Sequence, residues 1–565
     1  MRRALLLATA ALALTAAPAQ AGFRDSCETQ EEYTICNGTV ESFDGTPLAT
    51  TLTVPADLKE GKKLPLIVFL HGFLSNKGEY ISDTKESPDN YKTVEFNNRW
   101  YASRGYAVLN YDSRGHGDSG GEIALASKDV EIRDTQHLTG LLVDDGTAKR
   151  RKVAVLGGSY GGGQTWLLAT VRGKGAPQYG TWLSPDGKVV RLAAAVPQFT
   201  WTDLLFSLVP NGRNGETTPL GVAKITLING FIALIGDKMT EELARWLGRL
   251  NEGEPYDGDP LVEDAKKALT EDRSAYYQQG FFKALHKSPR RQRSIPILAA
   301  QGWTDPIFAP IEVVRMYKRL RSIRHDYPIR LYFGDFEHLT SQIKIPDMRY
   351  YHRLATRLLD HYLQGKKRKP TFDVRSAPTL CDPDAFGPVV RAPNWGALHP
   401  DQLAFDLPGP KVTGSPITDP RGGPTTDHVV IGLRQRGCVT TDLPESAGVA
   451  SWRVPIENDF TLLGMPRLEL AYQATGPDIE LNSRLWDVAP DGVQTLVTRA
   501  AYRVVAPDSG EQKVAYQLYG NHWKFERGHE LLLEVTGDDS TFFRRDNFPS
   551  TITVDSAKLT LPGMR

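Results

Sequence analysis

Six short, mostly apolar runs punctuate the first two-thirds of the chain, at 66–70, 106–110, 153–156, 192–196, 295–300 and 329–333. Runs of this length without polar alternation suit strands buried on both faces, the habit of parallel sheets covered by helices. Helical patterns at 94–104 and 130–142 fill gaps between them, and the alternation predicts a doubly wound α/β sheet. Ahead of it, two strand-like runs between 33 and 54 flank Phe43-Asp44-Gly45-Thr46 and read as a hairpin. The stretch from Val196 to Ile295 is too long for one crossover. It carries an amphipathic pattern at 239–250 and predicts a helical cap inserted over about 200–290. Past Leu363 the texture changes to a Lys/Pro-rich linker and then to turn-punctuated strand patterns, clearest at 466–472 and 530–535. These predict a β-sandwich or jelly roll over 375–565, after a catalytic domain over 22–370.

The first 21 residues stand apart. Met1-Arg2-Arg3, an Ala/Leu-rich run to Ala17, and Ala19-Gln20-Ala21 follow the order of a secretory signal, with cleavage expected after Ala21. Gly22 follows the cut where a lipid anchor would need cysteine. The chain is therefore expected to be secreted or periplasmic, with no membrane span in its mature form. Lys and Arg number 67 and Asp and Glu 67, a balance that gives nucleic acid no footing. Basic runs at 290–293 and 366–369 read as a solvated loop and a linker. The four cysteines predict two disulfides in an exported chain, and none of them has Cys-x-x-Cys spacing. Of three possible connectivities, Cys27 with Cys36 and Cys381 with Cys438 is the economical one.

Chemistry enters at Val153-Ala-Val-Leu-Gly-Gly-Ser159-Tyr-Gly-Gly162, where a serine sits between glycines directly after a strand pattern. A nucleophile on a sharp strand-to-helix turn needs nearly side-chain-free neighbours two positions either side, and Gly157 and Gly161 meet that need. With 51 glycines in the chain the string alone decides little, so chain order has to supply the context. Asp305 follows the run at 295–300 and His338 the run at 329–333, giving the order Ser, Asp, His that an α/β-hydrolase sheet requires. His338 would accept the proton of Ser159, and Asp305 would hold the imidazole tautomer. For the oxyanion the candidate donors are the amides of Tyr160 and of Phe73, the latter in His71-Gly72-Phe73. His71 rivals His338, and Asp203 and Asp335 rival Asp305. Trp166 and Trp303 are candidate walls of an acyl pocket, with core packing as the alternative. Gly117-Asp118-Ser119-Gly120-Gly121 copies the serine string of trypsin-like proteases, but it follows a parallel-type strand and reads as a glycine-rich turn.

Gly157-Gly-Ser-Tyr-Gly161, Gly302-Trp-Thr-Asp305, Asp112-Ser-Arg-Gly-His-Gly-Asp-Ser-Gly120 and Leu485-Trp-Asp-Val-Ala-Pro-Asp-Gly492 together resemble one group of serine hydrolases. It comprises X-prolyl dipeptidyl-peptidases, cocaine esterase and acylases acting on β-lactam side chains. The resemblance implies an α/β-hydrolase domain, a helical cap, a C-terminal jelly roll and the triad Ser159, Asp305, His338. Two departures accompany it. Several relatives take an oxyanion donor from a tyrosine hydroxyl in the loop that here reads His71-Gly-Phe-Leu-Ser-Asn-Lys77, and the family's peptidases are usually larger and intracellular. The reading is an exported serine hydrolase, without metal or cofactor, that opens an amide or ester of a peptide or small molecule. A carboxylesterase or acylase on small acyl substrates is the alternative among enzymes. A non-catalytic protein that binds carbohydrate or cell wall is the alternative outside them. A peptide substrate's ammonium would need a carboxylate in the cap, where Asp203, Glu241, Glu242, Glu252 and Glu254 are available.

Overall fold

The computed structural model describes residues 22–212, 219–288, 290–336, 338, 343–366, 368–427, 430 and 437–565. The expected signal peptide lies outside the described residues. The central sheet is built from β1 (Ser26–Thr29), β2 (Tyr33–Glu41), β3 (Pro47–Pro55), β4 (Leu64–Leu70), β5 (Ala107–Tyr111), β6 (Ala148–Gly158), β7 (Thr181–Leu183), β8 (Val189–Gln198), β9 (Ile297–Gly302), β10 (Ile329–Gly334), β11 (Val374–Ser376) and β12 (Val390–Ala392). Their spatial order is β1-β2-β3-β5-β4-β6-β8-β9-β10-β11-β12, with β7 on β8. Neighbours from β5 through β11 run parallel, and antiparallel pairs finish both ends. All six apolar runs are strands of this sheet, and the hairpin is β2-β3. Two of the strands, β11 and β12, lie beyond residue 370, where the sequence pattern ends the domain.

Alternate residues of the central strands sort into two cores. Leu66, Val68, Leu109, Val153 and Val155 face Leu138, Leu142, Leu167 and Leu168 on one side. Ile67, Phe69, Val108, Ala154 and Leu156 face Tyr101, Tyr351, Leu354 and Leu358 on the other. Burial on both faces explains why these strands carry no polar alternation.

The helices are α1 (Asn98–Ala102), α2 (Glu131–Asp144), α3 (Ser159–Thr170), α4 (Leu204–Leu208), α5 (Ile225–Ile235), α6 (Glu241–Glu252), α7 (Pro260–Lys267), α8 (Gln279–Lys287), α9 (Ile311–Ile323) and α10 (Ile345–Tyr362). Of these, α4 to α8 lie between β8 and β9 and form the cap. The first helix is shorter than the pattern at 94–104 predicts. Glu95 has φ +52°, outside the helical region, and the Asn97 side chain caps α1 by accepting from the Trp100 amide. In the same way Thr240 caps α6 and excludes Met239 from it.

The C-terminal region is all-β, in antiparallel sheets. Strand Ser550–Met564 pairs with Asp401–Ser415 and with Arg467–Thr475, and in a second sheet Glu530–Thr536 pairs with Asn482–Val488. Leu468, Leu470, Val554 and Leu559 from the first sheet share a core with Leu485, Leu531 and Leu533 from the second. Disulfides join Cys27 to Cys36, across β1 and β2, and Cys381 to Cys438.

Candidate active site

At the end of β6 the chain turns into α3 through Ser159, whose φ is +54°. Few non-glycine residues adopt this left-handed conformation, and the surrounding structure has to hold it. Here the hold is steric and polar. A Cβ on Gly157 would lie 2.5 Å from the Leu70 carbonyl oxygen, and one on Gly161 only 2.0 Å from it, so α3 can lie this close to β4 only with glycine there. The Thr200 hydroxyl, just past β8, donates to the Ser159 carbonyl at 2.6 Å. The turn thus presents the serine side chain at the carboxyl ends of the parallel strands, where open α/β sheets place their ligands.

His338, past the end of β10, bridges the other two predicted residues. Its Nε2 lies 2.7 Å from Ser159 Oγ and its Nδ1 lies 3.1 Å from Asp305 Oδ2. Asp305 is 2 % exposed, and its Oδ1 accepts from the amides of Ile307 and Phe308 at 2.9 and 3.0 Å. Those two bonds fix the carboxylate so that Oδ2 is the oxygen turned to the imidazole. The rings of Phe199 and Phe308 stand edge-on to His338, with centroids 5.4 and 5.2 Å away.

The rival groups are engaged elsewhere. His71 Nε2 accepts from the Ser113 amide at 2.9 Å, and burial lowers its pKa. Asp203 caps α4 and pairs with Arg315 at 3.2 Å. Asp335 accepts from Lys344 Nζ at 2.5 Å and from the Leu380 amide at 2.7 Å. Ser119 Oγ donates to the Asp112 carbonyl at 2.6 Å and accepts from the Ala49 amide at 2.9 Å, which makes it a brace for the glycine-rich turn.

Trp166 and Trp303, candidates for a pocket wall, belong to the core. Trp166 is 1 % exposed within α3. Trp303 stacks on Phe333 at 4.6 Å and donates to Ser376 Oγ at 3.0 Å. Large apolar side chains beside a catalytic motif still gain most by full burial. Phe73 is half-buried, its ring edge-on to Tyr160 and to Phe231 of α5.

Sequence reasoning missed Tyr80. It ends a single helical turn, Lys77–Tyr80, that follows β4, and its phenol oxygen accepts from the Gly158 amide at 3.0 Å, one residue before Ser159. Its ring stacks on Phe69. Burial, with the charge of Glu79 adding to it, raises the Tyr80 pKa well above the ordinary phenol value, so the hydroxyl stays protonated. A tyrosine soon after a strand-following His-Gly turn is the signal that would have found it, but the segment 71–77 stops just short.

Among the described residues no group of His, Cys, Asp and Glu is arranged to hold a metal ion, and no helix is long and apolar enough to cross a membrane. Residues 44–340 match the X-Pro dipeptidyl-peptidase (S15 family), and residues 408–564 match the X-Pro dipeptidyl-peptidase C-terminal non-catalytic domain. Among solved structures the chain is similar to an aminopeptidase from the marine sediment archaeon Thaumarchaeota archaeon. Identity is 16%, with 95% of this chain and 98% of that chain covered and a TM-score of 0.56. It is also similar to an α-amino acid ester hydrolase (14% identity, 94% and 97% covered, TM-score 0.61). A CocE/NonD family hydrolase from Staphylococcus aureus is a third such structure (15% identity, 94% of each chain covered, TM-score 0.60). At these identities the likeness is one of fold. The family match spans more than half of the sequence, and with it the chain belongs to the X-Pro dipeptidyl-peptidase (S15) family of serine hydrolases.

Proposed function

We propose that the protein is an exported hydrolase that opens an amide or ester bond through an acyl intermediate on Ser159. The observation that carries this reading is the imidazole of His338, within hydrogen-bond reach of both Ser159 Oγ and Asp305 Oδ2. In this mechanism His338 takes the serine proton as Oγ attacks the substrate carbonyl carbon, then gives it to the leaving amine or alcohol as the tetrahedral intermediate collapses. Water, activated by the same imidazole, releases the acyl group. Negative charge on the former carbonyl oxygen is met by the Tyr160 amide, at the first turn of α3, and by the Tyr80 hydroxyl. The Gly158 amide donates to the Tyr80 oxygen, which sets the phenol beside the serine turn and leaves its own proton to be donated. Export is supported by the N-terminal signal pattern and by two disulfides, which persist in oxidising compartments.

Family membership favours a peptide with a penultimate proline as substrate. A specific observation favours a second reading, an esterase on apolar acyl groups. Asp203 is engaged by Arg315 and Glu254 Oε2 by Arg544, while Glu241, Glu242 and Glu252 are exposed to solvent, so none of the five cap carboxylates is both buried and free of an ion pair, although Glu254 Oε1 is buried with no hydrogen-bond partner among the described residues. Phenylalanines 199 and 308 instead give the histidine an apolar surround. Turnover of Ala-Pro-p-nitroanilide against p-nitrophenyl butyrate separates the two readings: cleavage of the ester alone excludes the dipeptidyl-peptidase. A folded protein whose Ser159 does not react with a fluorophosphonate probe excludes both.

A further inference from the structure

Lys224 lies at the root of the cap, immediately before α5, and is 2 % exposed. Its Nζ donates to the carbonyls of Pro306 at 2.9 Å and Ile307 at 2.8 Å. These carbonyls are the far ends of two particular peptide groups. The amides of the same two groups, Ile307 N–H and Phe308 N–H, hold Asp305 Oδ1. Lys224 and Asp305 therefore grip the turn from opposite sides through one pair of peptides, with the cation on the oxygen ends and the carboxylate on the nitrogen ends.

We propose that Lys224 is a positioning residue for the triad acid: it clamps the turn at 305–308, so that Asp305 Oδ2 stays aimed at His338. The inference rests on the triad reading above. Its physical basis is twofold. An ammonium at the carbonyl oxygen polarises a peptide and strengthens the N–H donor at its other end, which favours the charged Asp305 in its observed orientation. A buried ammonium also needs acceptors, and among the described residues no carboxylate lies within ion-pairing distance of Lys224, so these two carbonyls are what satisfies it. A leucine or methionine would fill the same space for general packing without that demand.

The clamp is tied to the rest of the molecule. The ring of Tyr519, from the C-terminal region, lies 5.3 Å from Nζ. Directly after Lys224, the Ile225 amide donates to the Phe542 carbonyl and Thr226 Oγ1 donates to the Thr541 carbonyl. The charged groups that face the ammonium are Asp305 in the acid turn, Glu312 on α9 and Arg499 in the C-terminal region. Burial outweighs the two acids and pushes Lys224 down to about 8. As pH rises through that value the ammonium becomes a neutral amine, the polarisation of both peptides falls, and activation of Ser159 falls with it.

The test follows the rate of fluorophosphonate labelling of the full-length protein across pH 6 to 11, a readout that needs no natural substrate. Lys224→Met is expected to slow labelling about tenfold to a hundredfold at pH 7 and to remove the decline centred near pH 8. Lys224→Arg, which keeps its charge, is expected to restore most of the rate and carry it past pH 10 without that decline. A folded Lys224→Met with the wild-type rate and pH profile overturns the inference. Should Lys224→Met fail to fold, Lys224→Arg decides, because a decline still centred near pH 8 in that variant overturns it equally. Wild-type labelling that persists in Ser159→Ala overturns the triad reading and this inference with it, whereas normal Ser159 chemistry that ignores Lys224 overturns this inference alone.

Discussion

The carbonyl oxygen of Leu70 lies 2.0 Å from where a Cβ on Gly161 would sit. The first turn of α3 therefore rests directly on the end of β4, and the position of Ser159 depends on that contact. Replacing Gly161 by alanine forces two backbones apart, which no side-chain rotation can relieve. Gly161→Ala is expected to destabilise the protein by about 3 kcal/mol, read from urea unfolding, and to reduce fluorophosphonate labelling of whatever folds. Stability and labelling equal to the wild type would show that the elbow does not need this approach.

Ser159 and Ser119 carry similar glycine-rich surroundings but opposite expectations. Ser159→Ala is expected to lower kcat by about 10⁴ or more and abolish labelling. Ser119→Ala loses its bonds to Asp112 and Ala49, so it should cost about 1 kcal/mol of stability and leave labelling intact. Mass spectrometry of the labelled protein would locate the adduct, and an adduct on Ser119 would contradict the assignment.

Removing only the hydroxyl of Tyr80 leaves its ring stacked on Phe69. If that hydroxyl meets the oxyanion, Tyr80→Phe lowers kcat by about 10²- to 10³-fold with a small change in KM. An unchanged kcat would return the second donor to the Phe73 amide.

His352 gives a pH-dependent prediction remote from the site. It is stacked on Phe96 at 4.1 Å, donates from Nδ1 to the Val94 carbonyl, and is pushed down by burial to about 3. Between the unfolded value of 6.5 and that folded value, only the unfolded chain takes up the proton. The folded state thus loses up to about 1.4 kcal/mol per pH unit from this residue as pH falls. His352→Phe gives up the hydrogen bond to Val94 but removes the loss. Its stability deficit at pH 7 should shrink steadily towards pH 4, and a deficit that stays constant would show that the histidine accepts a proton while folded.

The elements that were legible in the sequence are those whose cause is local. Each apolar run became a strand because both of its faces are buried, a condition that leaves its mark on four to six consecutive residues. The serine turn was legible because close approach of α3 to β4 can be met only by glycine, and the acid and histidine because chain order through a parallel sheet is fixed by its crossovers. The starts of α1 and α6 were set by the caps Asn97 and Thr240, which moved them four and two positions past the starts that periodicity gives.

What the tertiary structure decided is what depends on partners distant in sequence. Trp166 and Trp303 read equally well as pocket or core, and only the packed sheet put them in the core. Tyr80 meets Gly158 across 78 positions of sequence, and Lys224 meets Pro306 across 82. No periodicity or motif links such pairs, because their separation is closed by the fold and not by the chain. Sequence by itself therefore determined where the strands fall along the chain and singled out Ser159, Asp305 and His338, the residues that the fold brings within hydrogen-bond reach. The packed fold determined what holds them in place, since hydrogen bonds of about 3 Å require a geometry that exists only once the layers have packed.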